Sequence, residues 1–194
     1  MSMLRPNMLL AASAVVGALL VAQAQPAAAQ TSNTTAAKKA DAPSSLPGGA
    51  SSLQESYDDW NVMCIEPDGQ KRCVFSQTQV NQQNQQRVLA AELSTTSQDA
   101  ARGVLAMPFG LALASGVTLQ IDDAAPGAAL PFQTCLPVGC IVQINFDAAT
   151  IANLRKGKQL KLNAVAADTS KPVTFTLSLK GFGAALNRTA ALSK

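Results

Sequence analysis

A chain of 194 residues, 47% hydrophobic and 14% charged, has the composition of a globular protein. Its net charge of +3 is too small for the basic stripe of a nucleic-acid footprint. It contains no histidine, which excludes Ser-His-Asp and Cys-His nucleophilic catalysis and every His-ligated metal site.

The N-terminus reads as a secretory signal peptide over residues 1–29. Arg5 supplies the positive start, and Met8 to Ala22 is an apolar run, short for a membrane span. Ala22-Gln23-Ala24 and Ala27-Ala28-Ala29 are small-x-small sites, so cleavage is expected after Ala24 or Ala29. Loss of Arg5 leaves 14 basic and 12 acidic residues, a charge of +2. Residues 30–54 are rich in Ala, Ser, Thr, Pro and Gly and lack apolar periodicity, the composition of a flexible tether. The folded domain is therefore expected over residues 55–194. A domain of about 140 residues buries about two-thirds of its unfolded surface. With aromatics at only 4%, its core must come mainly from Leu, Val, Ile and Ala.

Within that domain, apolar and polar residues alternate with period two, the mark of strands with one face in a core. Expected strands run over residues 59–64, 73–80, 87–93, 103–107, 117–121, 142–146, 160–164 and 173–179. Pro67-Asp68-Gly69, Ala114-Ser115-Gly116, Ala125-Pro126-Gly127 and Asp168-Thr169-Ser170 supply turns between them. The amide run from Asn81 to Gln86 fits a hairpin tip or a polar contact patch. A short helix is expected after Asp147, with Ile151 and Leu154 on one face and Gly157 as its stop. A second is expected from Gly181 to about Ala191. Eight short strands with many turns point to a single antiparallel β-sandwich or barrel-like domain with one or two short helices.

Four cysteines, Cys64, Cys73, Cys135 and Cys140, permit three pairings. Proximity favours Cys64 with Cys73 and Cys135 with Cys140, each closing a short turn-forming loop. Export would place them in an oxidising compartment. They lack the Cys-x-x-Cys spacing of a redox motif, and Cys64 and Cys73 are too far apart for a usual zinc knuckle.

Several segments together resemble one family. Trp60-Asn61-Val62-Met63-Cys64 is followed by Lys71-Arg72-Cys73, then Met107-Pro108-Phe109-Gly110 and Gly116-Val117. Pro131-Phe132-Gln133-Thr134-Cys135, Gly139-Cys140 and Ser178-Leu179-Lys180-Gly181-Phe182 complete the order. The series is similar to the invasion-associated locus B family of exported bacterial proteins, over roughly residues 55–192. The resemblance implies export, outer-membrane association in some members and a link to host-cell entry. It implies no enzymatic activity and brings no catalytic residues with it.

On their own chemistry, Trp60 is a packing residue or an exposed binding anchor. Gly110, Gly116, Gly139 and Gly181 suit special backbone geometry, and Pro108 and Pro131 should delimit strands. Arg155, Lys156, Lys158 and Lys161 form the one basic cluster, either a solvated surface or a face for an acidic partner. Asp58/Asp59 and Asp122/Asp123 are the adjacent carboxylates available for acid–base work. Strand neighbours point to opposite faces, so neither pair makes a natural dyad. No catalytic, cofactor or metal residue is assigned. The expected function is that of a non-enzymatic, exported envelope protein binding an envelope or host protein, with no nucleic acid and with peripheral outer-membrane association as an option. A periplasmic small-ligand or stress-linked binding protein is the alternative.

Overall fold

The computed structural model describes residues 44–95 and 97–194. The leader and residues 30–43 of the expected tether lie outside the described residues.

Among the described residues, ten strands and two α-helices follow in chain order. They are β1 (Ser52–Tyr57), β2 (Trp60–Ile65), β3 (Arg72–Val80), β4 (Arg87–Ser94), β5 (Ala101–Met107), β6 (Thr118–Ile121), β7 (Phe132–Leu136) and β8 (Gly139–Phe146), then α1 (Ala148–Lys156), β9 (Gln159–Val165), β10 (Pro172–Ser178) and α2 (Phe182–Leu192). All strand pairs are antiparallel. Seven strands form one sheet in the order β1-β2-β3-β4-β5-β8-β7, and three form another in the order β10-β9-β6. The fold is thus a sandwich, and the barrel option falls away because the strands divide between two separate sheets.

The burial pattern explains the arrangement. Trp60, Val62 and Cys64 face inward on β2 while Asn61, Met63 and Ile65 face out. Cys73, Phe75 and Gln77 continue the inward face on β3. Helix α2 packs against β1, β2 and β3, burying Phe182, Ala185, Leu186 and Ala190. The rings of Trp60, Phe75 and Phe182 meet with centroids 5.3–5.6 Å apart in tilted and edge-on contacts, the arrangements aromatic quadrupoles favour. Leu160, Leu162 and Ala164 of β9 belong to the same core.

Inward polar groups stitch the two sheets along β10. Trp60 Nε1 and Gln77 Nε2 both donate to the Ser178 carbonyl at 2.9 Å, and the Ser178 amide donates to Gln77 Oε1 at 2.9 Å. Gln79 Nε2 donates to the Thr176 carbonyl. Backbone groups of an edge strand, which would otherwise invite another strand, are satisfied by side chains.

The domain starts earlier than Glu55. Strand β1 begins at Ser52, Leu46 is buried in the core, and Glu66 accepts hydrogen bonds from the Ser44 and Ser45 hydroxyls and the Ser45 amide. The composition of residues 44–54 suggested a tether; one leucine with a core socket and one carboxylate clasp suffice to order it. Both helices occupy their expected positions. Asp147 Oδ1 accepts from the Thr150 amide at the start of α1, and hydrogen bonding by the Thr150 side chain and then its amide holds the Asp147 carboxyl below the usual range. No helix among the described residues is long and apolar enough to cross a membrane.

Candidate interaction surface

In an antiparallel sheet the strand ends sort the loops onto two ends of the molecule. One end collects the β1–β2 turn, the β3–β4 hairpin tip, the loop after β5 and the β7–β8 hairpin. The other collects the β2–β3 turn, the loop between β4 and β5, and the entry of the chain at Ser44 beside Glu66.

The first end, termed here the loop end, is built from unusual material. Met107 pairs with Cys140, and the Cβ of any residue replacing Gly139 would stand 2.5 Å from the Met107 carbonyl oxygen. This close approach lays the 136–139 turn beside Pro108 and Phe109. Phe109 is 62% exposed, Val138 48% and Leu136 47%. Leu113, also exposed, follows in the same loop. The Cys135–Cys140 disulfide pins the base of the turn, across directly paired residues. The loop at 108–112 is fixed from its other side: the Ala112 amide donates to Val165 O, and the Ala167 amide donates to Gly110 O. Exposed apolar side chains therefore sit on a braced frame, which limits the entropy a partner must remove on binding.

The same end carries the amide run. Asn81 and Asn84 hydrogen-bond the backbone amides of Gln83 and Gln86, shaping a compact tip. Segments 81–86, 108–117 and 136–139 contain no charged residue. An uncharged apolar centre with amides nearby matches the core and rim composition of protein interfaces, where charge is depleted at the core.

The opposite end differs. It holds an open cleft of about 870 Å³ whose lining includes Lys71, Arg72, Arg102 and Asp147. The second disulfide, Cys64–Cys73, joins directly paired residues near that end.

The other residues singled out in the sequence have structural partners. Trp60 is buried and serves packing and the β10 seam, not an exposed anchor. Asp58, at φ 50° in the β1–β2 turn, pairs with Lys180 at 3.2 Å. Asp122 accepts from the amides of Lys158 and Gln159, and Asp123 pairs with Lys161 at 2.9 Å. The basic cluster is likewise divided: Arg155 donates to Asn187 Oδ1 and Gln98 O. Among the described residues no group of three or more Cys, Asp or Glu side chains could hold a metal ion. In the sequence, Phe109 belongs to the family-like segment Met107-Pro108-Phe109-Gly110, and Leu136-Pro137-Val138-Gly139 is the turn-forming loop between Cys135 and Cys140. The available signal was large apolar side chains at turn positions, where polar residues are the norm.

Comparison with known proteins bears on the same framework. The family model "Invasion associated locus B (IalB) protein" matches residues 60–190. The chain belongs to this family. An invasion protein B homolog of Brucella abortus (strain 2308) is 51% identical over 150 residues, 77% of this chain and 86% of the relative. Invasion protein B of Bartonella bacilliformis is 38% identical over 151 residues, 77% of this chain and 81% of the relative. The crystal structure of invasion associated protein B from Bartonella henselae is similar, with a TM-score of 0.67 at 36% identity, covering 72% of this chain and 96% of that one. The family match spans both disulfides and the loop end.

Proposed function

We propose that this IalB-family protein is an exported, non-enzymatic envelope protein that binds another protein through its loop end. The observation that carries the reading is the exposure of three uncharged apolar residues, Phe109, Leu136 and Val138, in neighbouring loops on a disulfide-braced frame. The chain enters the domain at the opposite end, so the point of attachment is not part of this surface. Two disulfides suit an oxidising compartment outside the cytoplasm, and the leader composition suits export. The names of the relatives add host-cell invasion or host association as the setting, with the partner in the envelope or on the host cell. The domain stands in the periplasm or at the outer membrane.

The test is a double variant, Phe109→Asp with Val138→Asp. Both side chains are exposed, so the melting temperature should stay within a few degrees of the parent. Retention of the purified domain on envelope fractions and on host-cell membranes should fall at least tenfold, because a charge would be desolvated at the centre of the contact. Equal retention of parent and variant would place binding elsewhere on the protein. Protease treatment of intact cells separates the locations: loss of the domain with a periplasmic control intact means surface display.

A further inference from the structure

The two seams of the sandwich are unlike. Along β10, side chains of the large sheet hydrogen-bond the edge strand and close the gap. Along β6, the chain at 122–130 folds back on the strand. The Gly127 amide donates to Leu119 O, and Leu130 bridges Val117. Between this segment, α1 and strands β6, β8 and β9 lies a cavity of about 370 Å³. Ile144, Leu154 and Leu160 form its buried floor, and Leu119, Ile121 and Leu130 are half-buried along its wall. These wall residues pack against the core on one side only, which leaves apolar surface facing the cavity. The polar groups in the lining are Asn145, Thr150 and Asn153, and no lining residue is ionisable.

We infer that this cavity binds an uncharged aliphatic chain of medium acyl length, with a neutral polar end directed at Thr150 and Asn153 of α1. Its size is at the low end of ligand sites, which span about 300–1,000 Å³, and favours a single chain over a multi-ring cofactor. A charged group carried inside would find no counter-ion in the lining and would pay its full desolvation cost. An apolar chain meets leucine, isoleucine and alanine surface together with Phe146, with amide and hydroxyl groups available to one polar end. Phe109, Leu136 and Val138 do not line the cavity, so this site is separate from the proposed protein contact.

The experiment is a titration of the purified protein, isotopically labelled at its methyl groups and backbone amides, with 1-decanol. Saturable shifts are expected at the methyl groups of Leu119, Ile121, Leu130 and Leu160, with Phe109 and Val138 signals unmoved. Leu130→Trp, which fills the cavity, should weaken binding at least tenfold while backbone spectra stay native. The loop-end variant Phe109→Asp, Val138→Asp should bind decanol like the parent, which keeps the two proposals distinguishable. Absence of saturable shifts in the parent protein up to the solubility limit of decanol overturns the inference, as do shifts confined to the loop end; neither result depends on the folding of a variant.

Discussion

Gly181 carries a demand that no other residue meets. It has φ 86°, and a Cβ there would lie 1.9 Å from the Tyr57 carbonyl oxygen. It also stands at the head of α2, just before Phe182 enters the aromatic cluster. Gly181→Ala should cost at least about 2 kcal/mol, combining left-handed strain with a backbone clash, and urea unfolding would measure it. A second residue-scale feature is the ion pair under β1. Arg188 Nε and Nη2 donate to the two Glu55 oxygens at 2.7 Å, and Tyr57 adds its hydroxyl at 2.8 Å. The Arg188 hydrogen bonds hold the Glu55 carboxyl below its ordinary value of 4.5. A carboxyl depressed in the folded state contributes stability that is fully present above its unfolded value and is lost as pH falls through the folded one. Arg188→Met should therefore be less stable than the parent at pH 7. The gap in melting temperature should shrink once pH drops below about 4.5 toward and through the folded value. Because the pair is about one-third exposed, added salt should also narrow the gap.

At the level of elements, the seam along β10 makes the sharpest demand. Gln77→Ala would leave the Ser178 amide without its side-chain acceptor in a nearly dry site. The expected loss is about 1–3 kcal/mol by chemical denaturation, with Trp60 emission reporting the change beside it. The eight expected strands all exist; most bury one apolar face, while β5 buries Leu105, Ala106 and Met107 in succession and β6 is half-buried throughout. Two more escaped that reading for identifiable reasons. On β1 the inward positions are Leu53, Glu55 and Tyr57, and the middle one is a carboxylate tolerated there only because Arg188 reaches it from α2. A contact across the chain cannot be read from local spacing. On β7 four of five residues are exposed, so this edge strand has no buried face to write a period into the sequence. The ordering of residues 44–54 is invisible to local pattern for a similar reason: Leu46 docks through tertiary contact, without any repeat to announce it. The candidate site was legible only in part. Phe109 and the 136–139 turn stood out as segments, but their meeting depends on the pairing of β5 with β8.

For the whole molecule, the account rests on polarity between two ends. The end where the chain enters is clasped by Glu66 and holds the cleft lined by Lys71, Arg72 and Arg102; the other carries exposed Phe109, Leu136 and Val138 and the amide run, with the Asp58–Lys180 ion pair at the β1–β2 turn. Each end is tied near its base by a disulfide, so the frame holds its shape with few aromatic residues. The chain's place in the IalB family accounts for its architecture, and a fold alone does not assign function. The most direct measurement is site-specific photo-crosslinking in intact cells, with a photoreactive residue at Phe109, at Val138 and, as a control, at Arg72 on the opposite end. The account predicts one discrete crosslinked protein from Phe109 and Val138 and none shared with Arg72. Crosslinks from Arg72 alone, or the same products from all three positions, would contradict a loop-end contact.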